Sequence, residues 1–89
     1  MSNPVEDVEL DVRMLAHAQR RTVIFQAFNG MAPNRSFVLV NDHDPVPLRS
    51  QFEALFAGGY TWESLEKGPR VWRVRITKTP VPAESPQRR

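Results

Sequence analysis

The sequence contains no cysteine. This absence excludes disulfides, thiolate nucleophiles, persulfide carriers, iron–sulfur clusters and cysteine-ligated zinc sites. No apolar run approaches the roughly 20 residues that span a bilayer, and the polar, acidic residues 1–7 lack a signal-peptide core. A chain of 89 residues without disulfides must fold around one thin core, supplied by an apolar fraction of 40 %. We therefore expect a single cytoplasmic domain without a membrane association.

Positive charge is not gathered into one patch. The formal net charge is +2, and most lysines and arginines are interleaved with acidic residues, whereas nucleic-acid-binding proteins usually collect them on one face. A sheet that binds RNA by stacking also needs exposed aromatic residues, and the core competes for the three Tyr and Trp residues. Solvated surface is therefore the preferred interpretation of the two arginine clusters, and nucleic-acid binding is disfavoured. These clusters are Arg20-Arg21 and Arg70-Arg73-Arg75.

The folded part is expected to cover residues 8–78. We expect residues 1–7 to be a flexible start and the Pro-rich residues 79–89 a disordered tail. Residues 8–13 alternate apolar and charged side chains, which predicts a half-buried strand. Residues 18–31 carry one apolar stripe and predict a helix. The continuously apolar residues 36–40 predict a second, more deeply buried strand.

The second half of the domain predicts a helix and a hairpin. Residues 45–57 read as a helix, with Asp44 as its N-cap and Pro45 in the first helical position. Residues 60–65 and 71–76 are two strands joined by a short loop that contains Gly68. The order βαβαββ predicts a two-layer α/β (α+β) sandwich, with a four-stranded mixed sheet and both helices on one face.

The polar turn Asn41-Asp42-His43-Asp44-Pro45 stands where the second strand ends. A strand–helix–strand crossover makes the first two strands parallel, so their carboxyl ends lie at one edge of the sheet. His17, which follows the first strand, should therefore approach this turn. The candidate site is a rim at this edge, formed by Arg13, His17, Asn41, Asp42, His43 and Asp44.

Four interpretations of this rim remain open. His17 and His43, with Asp42 or Asp44, could bind a divalent transition metal, or an Asp could tune a histidine that acts as a general base. An anion could bind at a helix start; the first helix, near Arg20-Arg21, is the better candidate because prolines remove donors from the second. Helix capping by Asp44, a turn at Asp42 and a backbone contact of His43 would explain the segment structurally.

Three segments resemble a known family. They are Leu10-Asp11-Val12-Arg13-Met14-Leu15, Asn41-Asp42-His43-Asp44-Pro45 and Gly68-Pro69-Arg70-Val71-Trp72-Arg73-Val74. Together they look like the bacterial domain of unknown function family 2249, over about residues 8–78. That family is similar to the TusA/SirA-like sulfur carriers, which implies the same two-layer fold.

The resemblance also indicates what this chain lacks. The sulfur carriers have the pattern Leu-Asp-x-Arg-Gly-Leu-x-Cys-Pro, in which the cysteine carries a persulfide. Here Met14 replaces the glycine, His17 occupies the cysteine position and Ala18 replaces the proline. Sulfur transfer is therefore excluded. Relatives that occur beside hemerythrin-like cation-binding domains imply a metal or nitric-oxide/oxygen stress context.

We expect a small non-catalytic binding or accessory module that docks a partner protein through the rim. The alternative is a metal- or redox-ligand-binding domain that uses His17 and His43. Short exposed edge strands leave the oligomeric state open.

Overall fold

The computed structural model describes residues 8–80. The predicted flexible start, residues 1–7, and all but the first two residues of the predicted 79–89 tail lie outside this range. The six elements are β1 (Val8–Asp11), α1 (His17–Asn29), β2 (Ser36–Asn41), α2 (Val46–Phe56), β3 (Tyr60–Lys67) and β4 (Trp72–Lys78). Their order confirms the predicted βαβαββ fold. Within the described residues, neither helix is long and apolar enough to cross a membrane.

The four strands form one mixed sheet in the order β1-β2-β4-β3. β1 and β2 are parallel, while β4 is antiparallel to both of its neighbours. The last residue of β2, Asn41, pairs with Trp72 at the start of β4, which in turn pairs with Lys67 at the end of β3. The loops after β1 and β2 and the β3–β4 turn therefore share one edge of the sheet.

The helices cover one face of the sheet and enclose an aromatic core. Phe52 of α2 is fully buried, and its ring lies 5.1 Å from those of both Phe25 and Phe28 on α1. On the sheet side the core is completed by residues of β2 and β4 that face the helices. They lie two positions apart along each strand, because successive side chains of a strand point to opposite faces of the sheet. These are Phe37, Leu39, Val74 and Ile76.

The opposite face carries ion pairs across the strands. Arg73 of β4 reaches over β2 to Glu9 of β1 at 2.6 Å and also contacts Glu66 of β3 at 3.0 Å. Arg75 pairs with Glu63 at 2.8 Å. Beneath this layer Val40 of β2 is 0 % exposed. The arginines of β4 thus form a charged cover over the sheet, in agreement with the preferred interpretation of that cluster.

The start of α2 differs from the prediction. The helix begins at Val46, Pro45 occupies the N-cap position, and no side chain forms a capping hydrogen bond. Asp44 is therefore not the cap that the sequence suggested. An N-cap side chain accepts a hydrogen bond from the second or third helical N–H, and Pro47 has no N–H to donate.

The first helix also begins earlier than predicted, at His17 rather than Ala18, after the extended residue Ala16. At the other end of the fold, the Thr79 N–H donates to the Gly59 carbonyl at 3.1 Å. This contact fixes the chain directly after β4 to the turn between α2 and β3.

Candidate functional site

The structure brings the two histidines together. His17 is the first residue of α1 and His43 lies in the loop after β2. Their rings stack, with centroids 5.3 Å apart and planes inclined by 28°. Because β1 and β2 are parallel, the segments that follow them meet at the same edge of the sheet. This is the proximity that the sequence analysis expected from topology.

A buried arginine holds the two loops in place. Arg20 of α1 is only 7 % exposed. It donates from Nε to the Leu15 carbonyl at 3.0 Å and from one terminal nitrogen to the Arg13 carbonyl at 3.1 Å. It also donates to Asn41 Oδ1 at 2.9 Å and to both Asp42 carboxylate oxygens, at 2.8 and 3.3 Å. A guanidinium has five N–H donors, and all five are used here.

This arrangement corrects two predictions about the Arg20-Arg21 pair. Arg21 is exposed as expected, but Arg20 is not part of a solvated face. The start of α1 is also a poor anion site, since the donors of Arg20 are already taken by protein oxygens. One signal was present in the sequence: Arg20, Ile24 and Phe28 lie four residues apart on a single helix stripe, and all three are buried.

We call Arg20 and the oxygen atoms that it binds the clamp. Asn41 and Asp42 belong to the clamp and connect it to His43. Asn41 is buried, and its Oδ1 also accepts the Asp42 backbone N–H at 2.9 Å. The Asp42 carboxylate contacts His43 Nδ1 at 2.9 Å, so Nδ1 carries the proton of that hydrogen bond. The guanidinium of Arg20, followed by His43, holds the pKa of Asp42 well below its usual range. Asp42 is thus a fixed negative charge that orients one imidazole.

Two of the predicted rim residues take different places. The Arg13 side chain turns back to Asp11, with a contact of 2.6 Å between them, and joins the clamp only through its carbonyl group. The hydrogen bonds from Arg13 lower the pKa of Asp11 to about 2. Asp44 is exposed and lines a cleft between the start of α2 and the β3–β4 hairpin, to which no other predicted rim residue contributes. His17, Asn41, Asp42 and His43 are the rim residues that the structure brings together.

No three histidine, aspartate or glutamate side chains between residues 8 and 80 are placed to hold one metal ion. The two imidazoles are near one another, but Asp42 is engaged by Arg20 and Asp44 lines the other cleft. Neither predicted ligand set, the two histidines with Asp42 or with Asp44, is therefore assembled within these residues. The two histidines could supply two ligands.

The rim borders a cleft of about 360 Å³ between the first turns of α1 and α2. Its walls combine polar groups with the apolar side chains of Ile24 and Leu48. The polar groups are those of His17, Arg20, Arg21, Asn41, His43 and Gln51.

Sequence reasoning did not assign Met14 to the site. Met14 is 93 % exposed and lies in a tight turn closed by the Leu15 N–H, which donates to the Val12 carbonyl at 3.1 Å. Arg20 binds the carbonyl groups on both sides of it, those of Arg13 and Leu15. A large apolar side chain is thus presented to solvent from a backbone held on either side.

The comparison with protein families covers this whole region. The family described as "Uncharacterized conserved protein (DUF2249)" matches residues 9–78. The chain belongs to this family. No curated protein and no solved structure matches the chain. The matched range includes both loops of the rim and the buried Arg20, so the site lies inside the DUF2249 domain.

Replacing Arg20 tests the clamp. Arg20→Met keeps the apolar stem but removes the donor that binds the buried Asn41 and the Arg13 and Leu15 carbonyl groups, so we expect a loss of roughly 2 kcal/mol in the free energy of unfolding, the cost of leaving buried acceptors unsatisfied. Arg21→Met changes the exposed neighbour and should stay within about 0.5 kcal/mol. Urea unfolding measures both. Equal stabilities of the two variants would contradict a clamp.

Acid unfolding tests the lowered pKa values of Asp11 and Asp42. Their pKa values are lower in the folded DUF2249 domain than the ordinary value of 3.8, so both stabilise the fold above that value. The contribution is lost as the pH falls through the folded pKa, which is about 2 for Asp11. The free energy of unfolding should therefore decrease between about pH 4 and pH 2. Asp11→Asn and Asp42→Asn should each flatten this decrease; an unchanged slope in both would disprove the assignment.

Proposed function

We propose that this DUF2249 domain is a non-catalytic binding module that docks a partner protein through its rim. The supporting observation is the Arg20 clamp, which fixes two loops while Met14 and His43 stay exposed on them and His17 stays exposed at the start of α1. A docking surface with little freedom to lose on binding is favoured, because less conformational entropy opposes association.

The exposed residues are suited to a protein contact. Methionine and aromatic side chains are enriched at interfaces, and Met14 is 93 % exposed. A side chain so exposed contributes little hydrophobic stabilisation to the isolated domain. This surface has apolar contact area next to hydrogen-bonding groups, as interfaces do.

The electrostatics favour binding over general-base chemistry. A carboxylate beside a histidine can promote proton uptake by that histidine. The Asp42 carboxylate, however, faces the Arg20 guanidinium at 2.8 Å as well as His43. Arg20 thus offsets much of the negative charge that His43 would otherwise experience. The contact with Asp42 fixes the orientation of the His43 ring.

A metal- or redox-ligand role is the second candidate, and one observation favours it. The Nδ1 atom of His43 is engaged by a carboxylate, as the non-coordinating nitrogen of a metal-bound histidine usually is. With His17 stacked at 5.3 Å, the rim offers two imidazoles. The remaining ligands would have to come from outside residues 8–80, and a partner that docks at the rim could supply them.

Docking can be tested by substituting exposed apolar residues at matched positions. Met14→Glu places a charge at the rim, while Val8→Glu places one on a residue that is 64 % exposed at the opposite end of β1. In quantitative affinity capture from the native cell, a specific partner should be retained by the wild type and by Val8→Glu. It should be lost with Met14→Glu and with His17→Glu, since both residues are exposed at the rim. Retention of the same proteins by all four would oppose rim docking.

The metal role can be tested by titrating the domain with zinc, iron and copper while the imidazole resonances are followed by NMR. Stoichiometric binding should shift the resonances of both His17 and His43. The double variant His17→Ala/His43→Ala should lose the affinity, while the clamp keeps the fold. If neither histidine responds at one equivalent of metal, the metal role fails and docking is unaffected.

A further inference from the structure

A second cleft lies on the other side of the first turn of α2. It has a volume of about 210 Å³ and opens between that turn and the β3–β4 hairpin. Pro47 and Leu48 line the rim cleft, whereas Pro45, Val46 and Arg49 line this one. The two clefts therefore share no lining residue. We call the second one the tryptophan cleft, after Trp62 and Trp72 in its wall.

Both tryptophan rings are held in position. Trp72 packs over Gly68, where a β-carbon would lie 2.6 Å from the indole ring and where φ is +61°. A residue other than glycine is disfavoured there by both its backbone and its side chain. Trp62 packs against Phe52 of the core at 5.9 Å between ring centroids. The Arg49 guanidinium lies 5.8 Å from the Trp62 centroid. Each ring is only partly buried.

The charges of this cleft are unevenly paired. Glu66 contributes to the wall, but its carboxylate accepts from Arg73 at 3.0 Å on the opposite face of the sheet. Among residues 8–80, Arg49 and Lys67 form no ion pair with a carboxylate. Asp44 likewise forms no ion pair with a lysine, arginine or histidine within this range. The cleft thus combines two unpaired cations, one unpaired carboxylate and two indole rings.

We infer that the tryptophan cleft binds a small aromatic acid, meaning one planar ring that carries a carboxylate or a phosphate. The ring would pack on the indoles, and aromatic pairs gain from offset or edge contacts beyond their buried area. The anion would pair with Arg49 and Lys67, since charge-assisted hydrogen bonds are the stronger kind. A volume of about 210 Å³ lies below the range of drug-sized ligand sites, which agrees with a ligand that has a single ring.

The chain provides its own reporters for this inference, because its two tryptophans both line the cleft. We would follow their two indole N–H resonances by NMR during titration with benzoate and with phenyl phosphate. Benzyl alcohol carries the ring without the charge, and acetate and inorganic phosphate carry the charge without the ring. Saturable indole shifts are expected with at least one aromatic acid and not with the three partial ligands. The acid that binds more tightly identifies the anionic group.

Matched variants locate the binding. Arg49→Ala and Lys67→Ala should each weaken the affinity about tenfold, the effect of losing one charge-assisted contact. Arg70→Ala removes an exposed cation from the same hairpin outside the cleft and should leave the affinity unchanged. The inference is overturned if neither aromatic acid gives a saturable shift or if a partial ligand binds equally well. It is also overturned if both cation variants bind as the wild type does. The Met14→Glu variant should bind normally, because the rim is a separate site.

Discussion

The Arg20 guanidinium is the interaction on which the arrangement of this domain's rim depends. It is 7 % exposed, and its five donors join the loop after β1 to the loop after β2. Burying an unpaired charge would be very unfavourable, so the surrounding oxygens must be present together. Asn41, Asp42 and two carbonyl groups provide them. The positions of both histidines and of Met14 follow from this one side chain.

The domain divides its stabilisation between two regions with different physics. The aromatic cluster around Phe52 joins the helices to the sheet by apolar burial, which is non-directional. The edge that carries the rim is held by directional hydrogen bonds to a charged group. Apolar burial fixes which layers pack, while the hydrogen bonds fix how the loops are oriented.

Much of the fold could be predicted from the sequence. Alternating, continuously apolar and helical patterns, with turn residues between them, predicted the six elements, and the parallel crossover predicted that His17 and His43 would meet. Arg20 was missed because arginines are usually exposed, and only its place on the stripe with Ile24 and Phe28 indicated burial. The cleft between Trp62 and Trp72 could not be predicted either. It depends on how α2 sits against the hairpin, which no local pattern specifies.

The helix α2 lacks a side-chain cap, contrary to the prediction for Asp44, and this absence explains why the clamp is needed. Pro45 and Pro47 remove donors from the first turn of α2, so no side chain caps it. The turn from Asn41 to Pro45 therefore cannot be fixed by the helix that follows it, as most such turns are. It is fixed instead from the side, because Arg20 of α1 binds Asn41 and Asp42. In this domain the hydrogen bonds of the buried Arg20 of α1 perform the ordering that a helix cap usually provides, and they leave His43 oriented at the surface.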